Sequence, residues 1–228
     1  MSPFPLGRRQ FHDPRSRAYV APAAGSLRSV IHTPPPLAKR LDQGQTSSCE
    51  GNGSAHVLGT KPLHIPRSRY LTETDALKIY EVATHNDPWP EWYPDTDEGT
   101  SNTGAGIACQ KLGYIEKFTH CFGTEHVLHS LVEAPLLAGV PWSNDMFEPD
   151  EYGFVNPTGG WAGGHAFDIF GINVRDMYVW ALNSWSRWGL RGLQLFKITF
   201  ENLDILVREG GEFTRFHVTP SQPKLPDM

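Results

Sequence analysis

The sequence has only three cysteines, Cys49, Cys109 and Cys121, in 228 residues. An odd set cannot pair completely, and a secreted disulfide framework normally carries more cysteines in even number, so at least one thiol is expected to be free. Long apolar runs are missing too. No stretch approaches the roughly 20 apolar residues that cross a bilayer, and residues 1–13 lack the apolar centre of a signal peptide. These absences predict a cytoplasmic protein, or one released without the general secretory route, with no membrane partner. Positive charge is not in excess: a net charge of −5 and a pI near 6.0 argue against a general nucleic-acid binder. With 39% apolar and 20% charged residues, the composition is that of an ordinary globular chain near the upper size of one domain.

The charge that is there is uneven. Arg8, Arg9, Arg15, Arg17, Arg28, Lys39 and Arg40 occupy the N-terminal stretch, where Asp13 is the only acid before Asp42, whereas Glu91, Asp95, Asp97 and Glu98 lie together in the middle. A basic leader can pair with an acidic body or an acidic partner; an exposed, solvated arm is the plainer alternative. Residues 1–40 are rich in Pro and Arg without periodicity, and the prolines at 34–36 must be extended because proline fixes φ and blocks helix before it.

Beyond the leader, a short helix is expected from Cys49 despite Gly51 and Gly53, each of which weakens a helix by about 1 kcal/mol relative to alanine. Apolar spacing predicts further helices over 70–83, 103–113 and 125–133, with a proline- and aspartate-rich loop near 86–101. Apolar or aromatic runs at 138–142, 166–174, 177–183 and 193–200 read as strands. Helices in the first half and strands in the second make an α+β chain.

Three local patterns carry chemistry, in order along the chain. Gln43-Gly44-Gln45-Thr46-Ser47-Ser48-Cys49 comes first, then Gly163-Gly164-His165-Ala166, then Asn183-Ser184-Trp185 followed by Trp188-Gly189 and Gly192. A thiol is a poor nucleophile until it loses its proton, and a helix N-terminus and an adjacent imidazolium both stabilise the thiolate. A cysteine opening a helix, with a histidine brought in by a distant strand, supplies that arrangement. An Asn carbonyl accepting the other ring N–H orients the imidazole. The backbone N–H of Cys49 and an amide such as Gln43 suit the oxyanion of a tetrahedral intermediate. Each residue alone has a plainer reading: a buried small hydrophobe, a core histidine, a strand end, a turn glycine. Their joint occurrence in the order Gln, Cys, His, Asn is what distinguishes them.

These motifs resemble those of the papain-like cysteine peptidases, including microbial and phage-like members. The family's Q-G-x-x-x-S-C element matches Gln43 to Cys49 in register, its GGHA element matches Gly163 to Ala166, and its NSWG…WG…G element matches Asn183 to Gly192. Weaker similarity fills most of residues 40–215. The resemblance implies a cysteine-type peptidase acting on a peptide or protein substrate without metal or cofactor. It implies Cys49 as nucleophile, His165 as acid–base, Asn183 as its orienter and Gln43 in the oxyanion hole. Gly163, Gly164, Ala166 and Trp185 would border the substrate, Trp185 shielding the Asn183–His165 bond from water. The implied fold is a helical part, about 41–120, packed on an antiparallel β-barrel-like part, about 121–215, with the active site in the cleft and a tail at 216–228. Four features depart from the family pattern. Glu50 replaces the tryptophan after the nucleophile, where a carboxylate disfavours a neighbouring thiolate. Thr46 replaces a cysteine, Ser186 replaces a glycine, and the Cys-Asn-Gly-Gly wall motif has no match. Residues 1–48 are also too few for the family's full-length inhibitory propeptide, so the leader is expected to be a structural strap, with occupation of the cleft as the alternative.

The residues leave four further readings. A papain-fold protein using its cleft only for recognition would not need all four site residues. Transfer to an acceptor amine normally goes with an Asp partner instead of Asn183. His120, Cys121, His126 and His129 fit no standard zinc spacing and are expected as ordinary histidines and an inert thiol. The aromatic loop around Trp89, Trp92 and Tyr93 is expected to fold back as local core, with lining of the cleft as the alternative.

Overall fold

The computed structural model describes residues 3–21, 27, 40–63 and 71–218; the proline run at 34–36 lies outside them. The described helices are α1 (Cys49–Gly59), α2 (Glu73–Thr84), α3 (Asn102–Lys111), α4 (Thr124–Glu133) and α5 (Phe200–Arg208). The strands are β1 (Lys117–Cys121), β2 (Leu136–Ser143), β3 (Trp161–Asn173), β4 (Tyr178–Leu182), β5 (Leu195–Thr199) and β6 (Glu212–His217). The α+β expectation holds: α1, α2 and α3 precede the sheet. The strands form one antiparallel sheet in the order β1-β6-β2-β3-β4-β5.

That sheet is open, where a barrel-like closure was expected. Closure needs β1 to meet β5, and each has its outer edge engaged otherwise. Val20 of the leader bridges His120 on β1, and Phe154 bridges Lys197 on β5. Short loop bridges of this kind satisfy an edge strand without closing the sheet.

Side-chain alternation then divides the core in two. Leu136, Ala138, Val140 and Trp142 of β2 and Phe167 and Ile169 of β3 face one cluster, which α4 and α5 cover. Leu137 and Ala166 face the other, formed with α1, α2 and α3. Local chemistry fixes the helix starts. Thr72 and Asp75 cap α2 reciprocally, Ser101 accepts from Gly104 N–H at the start of α3, and Thr199 accepts from Asn202 N–H at the start of α5.

Helix α1 is buried from Cys49 to Leu58, lying between the sheet and α2. Its glycines exist for that approach. A Cβ on Gly51 would sit 2.2 Å from the backbone oxygen of Ala76 in α2, and one on Gly53 would sit 2.8 Å from Leu137 Cδ1 and 3.3 Å from the Phe167 backbone. Gly51→Ala should therefore destabilise the fold by about 1–3 kcal/mol, although alanine is the better helix former. A lower urea midpoint checks it; an unchanged or higher midpoint would show that α2 yields freely.

The far end of α1 is tied to the sheet by a buried polar pair, Thr60 Oγ1 donating to Asp168 Oδ2 at 2.9 Å. Asp168 is fully buried, and burial pushes its carboxyl up to about 8, against the opposing hydrogen bond. Between about pH 4 and pH 8 the folded chain thus keeps a proton that the unfolded chain has lost, so stability falls as pH rises through that window. Asp168→Asn should flatten the pH dependence of the thermal midpoint between pH 5 and 8. A slope equal to wild type would mean that another group sets it.

Candidate active site

Four separate segments bring the candidate residues to one place. Cys49 is the first residue of α1, with Ser48 as N-cap, so the helix N-terminus points its free N–H groups towards the thiol. His165 lies on β3, one residue from Ala166, so the two side chains leave opposite faces of the strand. Ala166 packs in the cluster that holds Cys49, and its backbone N–H reaches the thiol. Asn183 follows the last residue of β4.

The histidine is fixed from several sides. Its Nε2 lies 2.7 Å from Asn183 Oδ1, and that oxygen also accepts from Ser184 N–H at 2.7 Å. An oxygen acceptor there places the ring proton on Nε2 and leaves Nδ1 unprotonated, and Nδ1 has no hydrogen-bond partner. Trp185 stacks on the ring with centroids 4.2 Å apart, and Trp142 meets it edge-on at 5.0 Å. Trp185 is itself buried, so the His165–Asn183 bond lies under an indole.

Gln43 is oriented as firmly. Ser184 Oγ donates to its Oε1 at 2.7 Å, and Gln43 N–H donates to Ser184 O at 2.9 Å. Gln194 joins the same two segments: Asn183 N–H donates to its carbonyl at 2.8 Å, and its Nε2 donates to Leu41 O at 2.8 Å. Ser184 and Gln194 were not picked out from the sequence. Ser184 lies inside the Asn-Ser-Trp motif and was open to notice; Gln194 carried no local signal.

The leader does not strap the outside of the body. It runs through the cleft. Phe4 stacks on Trp185 with centroids 4.7 Å apart and an interplanar angle of 10°. Gln43 Nε2 donates to Pro5 O at 3.3 Å, besides Thr46 O at 2.8 Å. Leu6 lies over Gly163, where a Cβ would meet its Cδ1 at 2.6 Å. The Gly7 N–H reaches the Cys49 thiol, and a Cβ on Gly7 would come within 1.8 Å of Ser47 O. Gly7 O accepts from Thr100 N–H, Arg8 N–H donates to Gly164 O, and Arg9 N–H donates to Thr100 O, at 2.8–2.9 Å. Gly163, Gly164, Ala166 and Trp185 thus all border the leader or the thiol it covers.

Burial keeps Cys49 and His165 neutral. Burial, with Glu50 adding to it, pushes the Cys49 thiol up to about 12, and backbone N–H groups of Ala166, Gly7 and Glu50 work the other way. Burial holds His165 down to about 3, opposed by its bond to Asn183. Glu50 is fully buried with both oxygens unpartnered. Burial drives its carboxyl well above the usual range, and Arg8 pulls it back.

The other candidates lie apart from this centre. Trp89 receives the leader: Arg9 sits 4.0 Å over its ring, Phe11 meets it edge-on at 5.6 Å, and Arg9 also pairs with Glu91 at 3.0 Å. Trp92 stacks on His85 and Tyr93 on Tyr80. His120 contacts Thr214 Oγ1 at 3.2 Å, His126 Nδ1 accepts from Phe122 N–H, and His129 lies 3.6 Å from Glu125. Among the described residues no group of three or more metal-ligating side chains forms. Cys109 and Cys121 are buried and unpaired, their thiols raised by burial to about 12 and about 11. No described helix is long and apolar enough to cross a membrane.

No protein-family model matches the sequence, and no curated protein matches it by sequence. Solved structures do match. Xylellain, a cysteine protease from Xylella fastidiosa, is similar over 96% of this chain and 98% of its own at a TM-score of 0.73 and 16% identity. A cysteine protease of Carica candamarcensis in complex with E-64 is similar over 90% and 96%, at 0.55 and 12%. Digestive procathepsin L 3 of Tenebrio molitor larval midgut is similar over 88% and 74%, at 0.59 and 12%. The fold is that of the papain-like cysteine proteases.

Proposed function

We propose that this papain-like chain is a cysteine peptidase, with Cys49 as nucleophile, His165 as acid–base, Asn183 as its orienting partner and Gln43 as an oxyanion donor. The observation that carries the reading is the His165 Nε2–Asn183 Oδ1 bond of 2.7 Å, made on a strand whose next residue, Ala166, packs with Cys49 at the start of α1. It directs an unprotonated Nδ1 away from Asn183, the arrangement that a base for a thiol requires.

With the cleft open to a peptide, Nδ1 takes the thiol proton and Sγ attacks the carbonyl carbon. The C=O electrons move to an oxyanion, which Gln43 Nε2 and the Cys49 N–H stabilise. Collapse breaks the C–N bond as His165 returns the proton to the leaving amine. Water, deprotonated by His165, then attacks the thioester carbon; the C–S bond breaks and the thiol is restored. The Pro5 carbonyl on Gln43 Nε2 occupies that donor in the leader-filled state.

A second reading, a non-catalytic protein that recognises partners through the groove, is favoured by the filled cleft and the buried carboxyl of Glu50. Labelling with E-64, read by intact mass and peptide mapping, decides between them. A single adduct on Cys49, lost in His165→Ala, supports the peptidase. No adduct with E-64 or with iodoacetamide, in wild type and in leader-loosened variants, supports the groove binder.

Asn183→Ala should lower kcat by about 100-fold with a smaller effect on KM, because the residue orients the base and does not react. Loss as complete as that of a nucleophile variant would give Asn183 a larger part than orientation.

A further inference from the structure

Gln194 stands at φ 60°, a left-handed backbone conformation that suits glycine and strains a residue with a side chain. Its main chain makes two bonds there: its N–H donates to Trp188 O at 2.7 Å, and its carbonyl accepts from Asn183 N–H at 2.8 Å. A glycine would make both. What the glutamine adds is its side chain, in a residue only 5% exposed, whose Nε2 donates to Leu41 O at 2.8 Å. Backbone strain persists where the surrounding structure holds it, and it gathers at functional sites.

Leu41 is held from its other side as well. Its N–H donates to His56 Nε2 at 2.9 Å, which puts the ring proton on Nδ1. Burial holds His56 down to about 3, against the opposing charge of Glu73, so the ring stays a neutral acceptor. Both backbone polar groups of this buried leucine are thereby fixed. One is fixed to α1, the helix that Cys49 opens, and the other to the residue that receives the Asn183 N–H. Gln43 follows two residues later. Ser184 holds its side-chain oxygen and its backbone N–H, which sets the direction of the amide. The clamp on Leu41 sets where the loop carrying that amide stands between the nucleophile and the Asn183 segment.

We infer that Gln194 is a positioning residue for the oxyanion donor: through Leu41 it places Gln43 relative to Cys49 and the His165–Asn183 pair, with His56 as the second grip. The inference rests on the peptidase reading above. Because the Gln194 main chain serves Asn183 whatever side chain it carries, the side chain acts through Gln43 alone.

The test places Gln194→Gly and Gln194→Met in the full chain carrying Phe4→Ala and Arg8→Ala, which loosen the leader, and assays them with a fluorogenic peptide. Glycine relieves the backbone, and methionine keeps the stem without a donor, so a loss common to both belongs to the hydrogen bond. Each should lower kcat about tenfold with KM within about twofold. Alkylation of Cys49 by iodoacetamide, which needs the thiolate and forms no oxyanion, should stay within about twofold. Gln43→Ala should cost about 100-fold in kcat, and adding Gln194→Gly to it should cost no more than about twofold further, since no donor is left to place. An unchanged kcat in both variants, an equal fall in alkylation, or a full tenfold further loss on top of Gln43→Ala overturns the inference and leaves the peptidase reading standing. No hydrolysis by the loosened parent, with no labelling of its Cys49, overturns that reading and this inference together.

Discussion

Cys49→Ala is expected to reduce peptide hydrolysis by on the order of 10⁴-fold or more, to the background of the assay, while leaving the fold intact. In the proposed mechanism no other thiol can form the acyl intermediate: Cys109, on α3 in the same core cluster as Cys49, and Cys121, in the other cluster, are both buried. Removing the sulfur from a fully buried position costs packing of about 1 kcal/mol, well short of unfolding a domain. The clean comparison is His165→Ala. If Cys49 is the nucleophile and His165 its base, the two single variants and the double variant should lie at nearly the same residual rate, because the pair acts as a unit. Urea midpoints close to wild type would show that the loss is chemical. Hydrolysis near the wild-type rate in folded Cys49→Ala would sink the assignment.

The candidate set stood out in the sequence because each member lies in a short motif. Gln43 and Cys49 share a loop and helix start, His165 sits beside its glycines, and Asn183 is joined to Trp185. The order of elements was legible for a related reason: α2, α3 and α4 and strands β2 to β5 have apolar spacing that declares itself locally. β1 (KFTHC) and β6 (EFTRFH) do not, being short, mixed in polarity and paired only with partners distant in sequence. Helix α5 was not foreseen: its first residue, Phe200, continues the apolar run read as a strand, and only the Thr199 cap marks the change. Openness of the sheet rested on two loop bridges that no pattern encodes. Glu50 was legible as a departure that disfavours the thiolate. Its burial, and its link through Arg8 to Glu212, were not, because those contacts join residues from opposite ends of the chain. The course of the leader through the cleft was only the lesser of two expectations for the same reason: Phe4 on Trp185 and Arg8 on Glu212 are tertiary pairs without periodicity.

Loosening the leader should produce the second large effect. In the full chain the double variant Phe4→Ala/Arg8→Ala should raise the rate of Cys49 alkylation and of peptide hydrolysis by about 100-fold or more. The magnitude follows from the anchors. Removing one partner of a buried ion pair costs about 3–5 kcal/mol, because the other is left buried and unpaired, and the Phe4–Trp185 stack adds about 1 kcal/mol. Both penalties fall on the closed state alone, since Glu212 regains water once the leader lifts. About 1.4 kcal/mol is a factor of ten in an equilibrium, so even part of this shifts the open population by two orders of magnitude. Opening also changes the chemistry of the pair. Burial holds the thiol near 12 and the imidazole near 3; with water readmitted, the helix N-terminus and the neighbouring ring can stabilise a thiolate–imidazolium pair. Iodoacetamide reaction with Cys49 should therefore be slow in wild type even at pH 8, where the buried thiol is protonated, and fast at pH 6 in the double variant, where the ion pair has formed. Equal rates in the two proteins at both pH values would mean that the leader leaves the cleft freely, and that residues 4–8 are no barrier to the nucleophile.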